Sequence, residues 1–186
     1  MPRRKFFYDT EFHEDGNTID LISIGIVRGD GKEYYAVSSE ADYSRIYENS
    51  WLMENVMNSI DHIVIENEQG TAGTLVPIGP YVRTREEIRD EILEFITETQ
   101  DEFNDPHGES RAELWAWYGD YDHVALCQLF GKMINLPDKF PMFTRDLRQH
   151  WEYKNYPVLP EQEEGEHNAL DDARYGLVLY NYLESL

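Results

Sequence analysis

The sequence predicts an α/β fold in which a mixed β-sheet, antiparallel over its first three strands, is flanked by helices. Two observations lead to this fold class. Residues 6–38 read as apolar strands separated by short polar turns, and the rest of the chain alternates helix-spaced apolar residues with short apolar runs. Strands joined by tight turns pair antiparallel, whereas strands joined through helices can return parallel, so one sheet of mixed direction follows.

The first three strands form a predicted meander. The first runs from Phe6 to about Phe12, and the polar residues 14–17 provide a turn. The second strand, Ile19 to Val27, is apolar and rich in β-branched residues. Residues 29–31, Gly-Asp-Gly, then turn the chain into a third strand over Lys32 to Ser38.

The next part of the chain is predicted to be mainly helical. A polar helix is expected over Tyr43 to Met57, followed by an apolar segment, Ile60 to Ile65, and a loop from Gln69 to Pro80. Thr84 and Glu87 form a capping box that begins a helix extending to about Gln100. The apolar residues of that helix recur on one face at Ile88, Ile92, Phe95 and Ile96.

The last third is predicted to contain shorter elements. After a turn at Asn104 to Gly108, a strand over Ala112 to Tyr118 leads into a helix that begins at Asp120 or Asp122. This helix is expected to carry three apolar residues inward: Ala125, Leu129 and Met133. The remaining predicted elements are a strand over Phe140 to Phe143, a helix over Thr144 to Trp151, an acidic loop over Asn155 to Glu166, and a helix over Asn168 to Leu183.

Length and composition narrow the range of function classes. The 186 residues, without a linker or repeat, predict a single domain spanning residues 1–186. A net charge of −21 argues against general attraction to phosphate backbones or anionic membranes. Cys127 is the only cysteine, which excludes an internal disulfide and a thiolate-rich zinc site. With no signal-peptide core and no long apolar run, a soluble, cytoplasmic protein without membrane contact is expected.

A pair of acids, Asp9 and Glu11, lies in the first predicted strand. Residues two apart leave the same face of a strand, with Cα atoms roughly 6.6 Å apart, so the two carboxylates are able to share a metal ion. An isolated pair of this kind is more often solvated. Here, however, Phe7, Tyr8 and Phe12 surround it, and apolar neighbours make two anions costly unless a cation compensates them.

Two further groups of polar residues lie where helices begin. Asp120 and Asp122 follow the strand at Trp115, and either acid alone would serve as a helix cap or a first-turn charge. His167 precedes the last helix, whose first turn contains Asp171 and Asp172. Helix capping by Asn168 explains this turn but leaves His167 without a role, and histidine is the side chain best suited to proton transfer near neutral pH.

Together, the three groups resemble the proofreading-type 3′–5′ exonucleases with four acids and a histidine (the DEDDh type), a branch of the ribonuclease-H-like fold. Within that branch the chain is most similar to the polyadenylate-specific exoribonuclease group known as ribonuclease AS. The segments that carry this closer resemblance are Phe7-Tyr-Asp-Thr-Glu-Phe12, Glu14-Asp-Gly16, Leu21-Ile-Ser-Ile-Gly25, Asp30-Gly31, Glu33-Tyr-Tyr-Ala-Val-Ser38 and Arg83-x-Arg85-x-x-Ile-Arg89.

The resemblance implies a ribonuclease-H-like fold and assigns roles to the motif residues. Asp9, Glu11, Asp122 and Asp172 would be the ligands of two Mg²⁺ or Mn²⁺ ions, and His167 would be the general base. In the family the third acid follows an aromatic residue, as Asp122 follows Tyr121, and the last acid lies five positions after the histidine, which selects Asp172 over Asp171.

The resemblance also implies a substrate and an assembly. The expected substrate is the 3′ end of single-stranded RNA, with a preference for adenylates, and the expected product is a nucleoside 5′-monophosphate. A homodimer is implied as well. Phe12 is a candidate for stacking on a base, and Arg83, Arg85 and Arg89 are candidates for phosphate contacts, although they suit solvated helix-face charges equally well.

Two alternatives are compatible with the sequence. One is an exonuclease of the same fold that acts on DNA. The other, from a different class, is an acidic mimic of nucleic acid in which the charge of −21 is a decoy for a basic protein. Mimicry needs charge spread along a surface, whereas here the acids and the histidine fall at catalytic spacings.

Overall fold

A computed structural model describes residues 4–70, 72–97, 112–138, 140–162 and 165–186. Its strands are β1 (Arg4–Glu14), β2 (Ile19–Arg28), β3 (Glu33–Ser38), β4 (His62–Glu66), β5 (Gly73–Pro77), β6 (Val82–Arg83), β7 (Ala112–Ala116) and β8 (Thr144–Asp146). Its helices are α1 (Tyr43–Glu48), α2 (Ser50–Asn55), α3 (Arg85–Thr97), α4 (Asp120–Gln128), α5 (Leu147–Tyr153) and α6 (Ala169–Glu184). Short 3₁₀ turns lie at Met57–Ser59 and Met133–Asn135.

Six strands form one mixed sheet in the order β6-β3-β2-β1-β7-β8. The pairs β1–β2 and β2–β3 are antiparallel, and β1–β7, β7–β8 and β3–β6 are parallel. The fold class predicted from the sequence, with three antiparallel strands at its start, is confirmed. Strands β4 and β5 form a separate antiparallel hairpin.

Helices cover both faces of the sheet. On one face, the even-numbered residues Phe6 and Tyr8 of β1 pack with Ile88 of α3 and Leu126 of α4 in the larger apolar cluster. On the other face, the ring of Phe7 lies 5.3 Å from that of Tyr180 in α6. Because successive side chains of a strand point to opposite faces, β1 supplies both layers, and its odd-numbered residues face α6.

The capping box at the start of α3 is present. The backbone N–H of Thr84 donates to the Glu87 carboxylate at 2.7 Å, and the backbone N–H of Glu87 donates to the Thr84 hydroxyl oxygen at 3.2 Å. The helix extends to Thr97 in the described residues. The predicted end at Gln100 and the predicted turn at 104–108 lie outside them.

Several predicted boundaries were wrong. The helix expected over 43–57 is two helices, because the Asn49 side chain accepts a hydrogen bond from the Leu52 N–H and begins α2. The strand expected to continue to Tyr118 ends at Ala116. Helix α4 ends at Gln128, and the left-handed φ of Gly131, +81°, turns the chain away. Met133 is therefore 74% exposed instead of packing inward.

The predicted strand over Phe140 to Phe143 was also wrong. The last strand of the sheet is β8, which begins at Thr144 and pairs with β7. Helix α5 begins only at Leu147, because the Asp146 carboxylate accepts the N–H of Arg148 at 2.6 Å and caps the helix there. Among the described residues, no helix combines the length and apolar character needed to span a membrane.

Candidate active site

Asp9 and Glu11 lie side by side on the face of β1 that points toward α6. Asp9 is opposite Gly25 of β2 and Glu11 is opposite Ser23. Asp9 is half-buried and Glu11 is only 8% exposed. The two-residue period of the strand places both carboxylates on the same face, as the spacing predicted.

Gly25 allows the start of α6 to approach this face. A Cβ atom at position 25 would lie 2.3 Å from the carbonyl oxygen of Ala169, a distance that a real side chain cannot occupy. The absence of a side chain thus lets the first turn of α6 rest directly on β2. Asp172 belongs to that turn, and one oxygen from each of Asp9, Glu11 and Asp172 lies within 4.8 Å of the others.

Asp122 joins the group from a different direction. The pairing of β1 with β7 covers only Arg4 to Phe7, so beyond Phe7 no strand of the described residues pairs with this edge of β1. The N-terminus of α4 occupies the gap: the backbone N–H and the hydroxyl of Thr10 donate to Asp122 Oδ1 at 2.9 and 2.6 Å. Asp122 is 6% exposed. Its charge is the second cause, after burial, of the raised pKa of Asp9.

The neighbouring acids take other partners. Asp120 is exposed and lines a different cavity, together with Phe143 and Arg145. Asp171 accepts a hydrogen bond from Arg174 at 2.6 Å, one turn further along α6. The structure thus brings Asp122 and Asp172 to the β1 carboxylates, and it directs Asp120 and Asp171 elsewhere.

Burial raises the pKa of all four acids, and repulsion by the other acids of the site raises it further at Asp9 and Glu11. Loss of solvation is the largest cause at each acid: it raises the pKa of Glu11 to about 8, that of Asp122 to about 6, and that of Asp9 well above its ordinary value. The pKa of Asp172 is raised by burial too, although hydrogen bonds oppose this. Carboxylates in this state fit a hard divalent cation, because its charge offsets both the repulsion and the desolvation.

His167 lies immediately beside the acids. Its backbone has a left-handed φ of +64°, and its N–H donates to Asp172 Oδ2 at 2.9 Å. The imidazole packs edge-on against the indole of Trp51, with ring centroids 5.0 Å apart. Gln162 donates to the other oxygen of Asp172 at 2.7 Å, so this carboxylate is held from both sides.

The predicted substrate-binding residues lie in different environments. Phe12 stacks on Tyr121, the residue before Asp122, with centroids 6.0 Å apart and planes 8° from parallel. Arg83 lies in β6, at an edge of the sheet three strands from β1, and donates to Glu91 at 2.9 Å. Arg85 forms an ion pair with Asp20. The structure thus places Phe12 against the residue that precedes Asp122, whereas Arg83 and Arg85 are engaged by acids.

Several residues of the site were not singled out from the sequence. Thr10 binds Asp122, Gln162 binds Asp172, and Trp51 contacts His167. The position of Thr10 between the two predicted acids is a sequence signal that could have identified it. Trp51 and Gln162 come from segments without a recognisable pattern, so only the fold reveals them. A cavity of about 240 Å³ lies beside Asp9 and Asp172, and Trp117 lines it.

One family model and two curated proteins match the chain in sequence. Residues 4–183 match the family model described as the 3′–5′ exoribonuclease Rv2179c-like domain. The chain is 42% identical over 181 residues to the 3′–5′ exoribonuclease Rv2179c of Mycobacterium tuberculosis H37Rv, covering 97% of this chain and 94% of that protein. The corresponding protein of strain CDC 1551, 3′–5′ exoribonuclease MT2234.1, gives the same identity and coverage.

Solved structures support the fold independently of sequence. E. coli exonuclease I in complex with a dT13 oligonucleotide superposes with a TM-score of 0.59 at 11% identity, over 98% of this chain. A ligand-free exonuclease I structure gives a TM-score of 0.56 at 10% identity, over 100% of this chain. The chain spans 41% and 42% of the lengths of those two chains. The protein is a nuclease, and by the match over nearly its whole length it belongs to the family of the 3′–5′ exoribonuclease Rv2179c-like domain.

Proposed function

We propose that this protein removes nucleoside 5′-monophosphates one at a time from the 3′ end of single-stranded RNA, with the help of two divalent metal ions. The observation that carries the proposal is the convergence of three carboxylates from β1 and α6, each with an oxygen within 4.8 Å of the others. Asp122, held against the same strand by Thr10, provides the fourth acid. Membership of an exoribonuclease family supports the direction of attack and the choice of RNA.

Asp9, Glu11, Asp122 and Asp172 would hold two Mg²⁺ or Mn²⁺ ions. Carboxylate oxygens are the ligands that these hard cations prefer. Bound divalent ions supply activation of the attacking water and stabilisation of the charge on the phosphate and the leaving oxygen. They also make a site in a chain of net charge −21 attractive to a phosphodiester.

His167 would act as the general base. A neutral imidazole nitrogen takes the proton of the water that attacks the terminal phosphorus, while the bond from phosphorus to the 3′ oxygen of the preceding nucleotide breaks. The Trp51 ring and the bond from the His167 N–H to Asp172 restrict where the imidazole can lie. The base is thereby fixed relative to the carboxylates.

The substrate preference and the assembly are further parts of the proposal. Phe12, stacked on Tyr121 beside Asp122, offers an aromatic face to the terminal base, and the adenylate preference and the homodimer follow from the family resemblance. We leave Arg83 and Arg85 out of the substrate contacts, because each would first have to leave an acid partner.

The test is a degradation assay with end-labelled RNA and DNA homopolymers of equal length at one salt concentration. Wild-type protein should release mononucleotides from RNA in Mg²⁺ or Mn²⁺ and none in EDTA, fastest from oligoadenylate. Asp9→Asn should be inactive. His167→Ala should lose about 10²–10⁴-fold in rate while still binding Mn²⁺, because a base acts in the transition state and is not a ligand.

Each contrary result removes a defined part of the proposal. Equal rates on RNA and DNA would favour the DNA-directed exonuclease, and equal rates on the four RNA homopolymers would remove the adenylate preference. Absence of metal-dependent cleavage, together with inhibition of a basic nucleic-acid-binding protein, would favour the acidic mimic. Full activity of Asp9→Asn would overturn the assignment of the site.

A further inference from the structure

A group of aromatic side chains around one arginine adjoins the cavity of the active site. We call it the aromatic–arginine surface, and its members are Trp117, Tyr118, Arg148, Trp151 and Tyr156. The Arg148 guanidinium carbon lies 4.5 Å from the centre of the Trp151 ring and 5.3 Å from that of Tyr156. The rings of Trp151 and Tyr156 meet edge-to-face, with centroids 5.0 Å apart.

This surface is continuous with the catalytic cavity through Trp117. That indole lines the cavity beside Asp9 and Asp172, and its centroid lies 6.0 Å from that of Trp151. Two hydrogen bonds hold residues 157–160, which lie between the surface and the cavity. Trp151 donates to the carbonyl of Pro157 at 2.7 Å, and Tyr175 donates to the carbonyl of Pro160 at 2.6 Å.

Arg148 differs from other arginines of the chain in its surroundings. Arg28, Arg45, Arg83, Arg85, Arg89, Arg145 and Arg174 each form an ion pair with an acid. In the part of the chain that the structure describes, no carboxylate lies within 4.0 Å of Arg148, although acids outnumber bases 37 to 16. Its positive charge is therefore available to an outside anion, and its guanidinium group is already held against the rings of Trp151 and Tyr156.

The backbone is strained at the same place. Among the described residues, the non-glycine residues with positive φ are Tyr118, Asn155, Tyr156 and His167. Tyrosine seldom adopts this conformation, which persists only where the surrounding structure imposes it. Tyr118 and Tyr156 are nevertheless 61% and 50% exposed, so the strain presents two aromatic faces to solvent.

We propose that the aromatic–arginine surface binds the nucleotides of single-stranded RNA that lie 5′ of the terminal two. Bases would stack on Tyr156 and Tyr118, and Arg148 would pair with a backbone phosphate, as in other sequence-tolerant single-strand sites. This proposal rests on the proposed function, which places the 3′ terminal phosphodiester at the acids next to Trp117. The surface explains how so acidic a protein can retain a polyanion between cleavage steps.

The test compares a short and a long substrate. A dinucleotide fills only the catalytic cavity, whereas a ten-nucleotide RNA also reaches the aromatic–arginine surface. Arg148→Gln should lower kcat/KM on the longer RNA about tenfold and leave the dinucleotide within about twofold. Arg45→Gln removes the same charge from an arginine paired with Asp15, and should leave both substrates unchanged.

A second pair of variants separates stacking from charge. Tyr156→Asn suits the left-handed backbone but removes the ring, and should lower kcat/KM on the ten-nucleotide RNA. Tyr156→Phe retains the ring and should keep kcat/KM on this RNA at the wild-type value. Fluorescence anisotropy at several NaCl concentrations measures the binding of a ten-nucleotide RNA with phosphorothioate linkages at its 3′ end. The slope of the logarithm of the binding constant against that of the salt concentration should be smaller by about 0.7–1 only in Arg148→Gln.

The outcomes distinguish the two proposals. Equal losses on the dinucleotide and the longer RNA, or no loss on the longer RNA, would overturn the binding role of the surface while leaving the exonuclease intact. If wild-type protein cleaved no RNA, the proposed function would fall. The anisotropy comparison, which needs no cleavage, would then still decide whether RNA binds this surface.

Discussion

Acids that are close together in the sequence have different partners in the structure. Asp122 accepts two hydrogen bonds from Thr10, whereas Asp120, two positions earlier, is exposed. Sequence spacing alone left both acids open, because each suits the first turn of a helix. The choice depends on where β7 leaves β1, which is a property of the sheet and cannot be read from the local sequence.

Exchange of each acid for its amide tests this difference. Asp122→Asn should lower the rate by about 10²-fold or more, because one carboxylate of the proposed metal site is lost, while Asp120→Asn should stay within about twofold of wild type. The measurement is the initial rate on labelled oligoadenylate in Mn²⁺, with folding checked by circular dichroism. An inactive Asp120→Asn beside an active Asp122→Asn would reverse the assignment.

Glu11 makes stability depend on pH in the metal-free protein. Its pKa is raised from 4.5 to about 8 in the fold, so between these values the native state holds a proton that the unfolded chain has lost. The free energy of unfolding should therefore fall as pH rises from about 5 to 8, by roughly 2–4 kcal/mol. Urea unfolding in EDTA at several pH values measures this slope.

The matched comparison is between two glutamates. Glu11→Gln has no charge to acquire and should flatten much of the slope, whereas Glu94→Gln, at an exposed position of α3, should leave it unchanged. Stability that rose with pH in wild-type protein would show that the carboxylates of the site are better solvated than the structure indicates.

At the scale of elements, the sequence was most informative where one local pattern determines the structure. Strands β1 to β3 and the start of α3 follow from alternation, turns and a capping box. The division at Asn49, the end of α4 and the late start of α5 depend on a cap or a left-handed glycine that competes with an apolar pattern. The fourfold group of acids was predicted by residue and motif, but its supports, Thr10 and Gln162, were not.

The approach of α6 to β2 is an element-scale feature with a testable consequence. Gly25→Ala would place a methyl group where the Ala169 backbone now lies, so α6 must shift away from the sheet. We expect a loss of at least 2 kcal/mol in stability and, in whatever protein remains folded, weaker Mn²⁺ binding, because Asp172 moves with the helix. Gly31→Ala, at an exposed turn with φ +91°, is strained but clear of α6.

The two glycine variants give different readouts. Gly31→Ala should lose stability while its Mn²⁺ affinity, measured by calorimetry, stays at the wild-type value. A Gly25→Ala protein with unaltered Mn²⁺ affinity would mean that the position of Asp172 does not depend on this contact.

For the whole molecule, the charge of −21 and the buried acids predict a reversal of stability with metal. In EDTA, Asp9→Asn should melt at a higher temperature than wild type, because it relieves repulsion within the group. In Mn²⁺ well above the dissociation constant, wild type should gain about 3 kcal/mol and melt at the higher temperature, because only the native state binds the ions.

Thermal melts in EDTA, in MnCl₂ and in NaCl of equal ionic strength test this reversal. Sodium ions screen the general repulsion in both proteins alike, so they should raise both melting temperatures without changing their order. A gain from MnCl₂ that is equal in Asp9→Asn and wild type would place the metal binding elsewhere.

That the chain forms one domain over residues 1–186 stays a prediction.

The early end of the β1–β7 pairing has a consequence for the protein's open edges. An unpaired stretch inside a sheet exposes an amide that could pair with a foreign strand, and Asp122 covers it by accepting the Thr10 N–H. The Asp122 carboxylate thus satisfies an unpaired backbone amide of the sheet and also belongs to the group of acids. In hydrogen–deuterium exchange the Thr10 amide should therefore be protected although no described strand pairs with β1 on that side of Thr10, and Asp122→Ala should expose this amide.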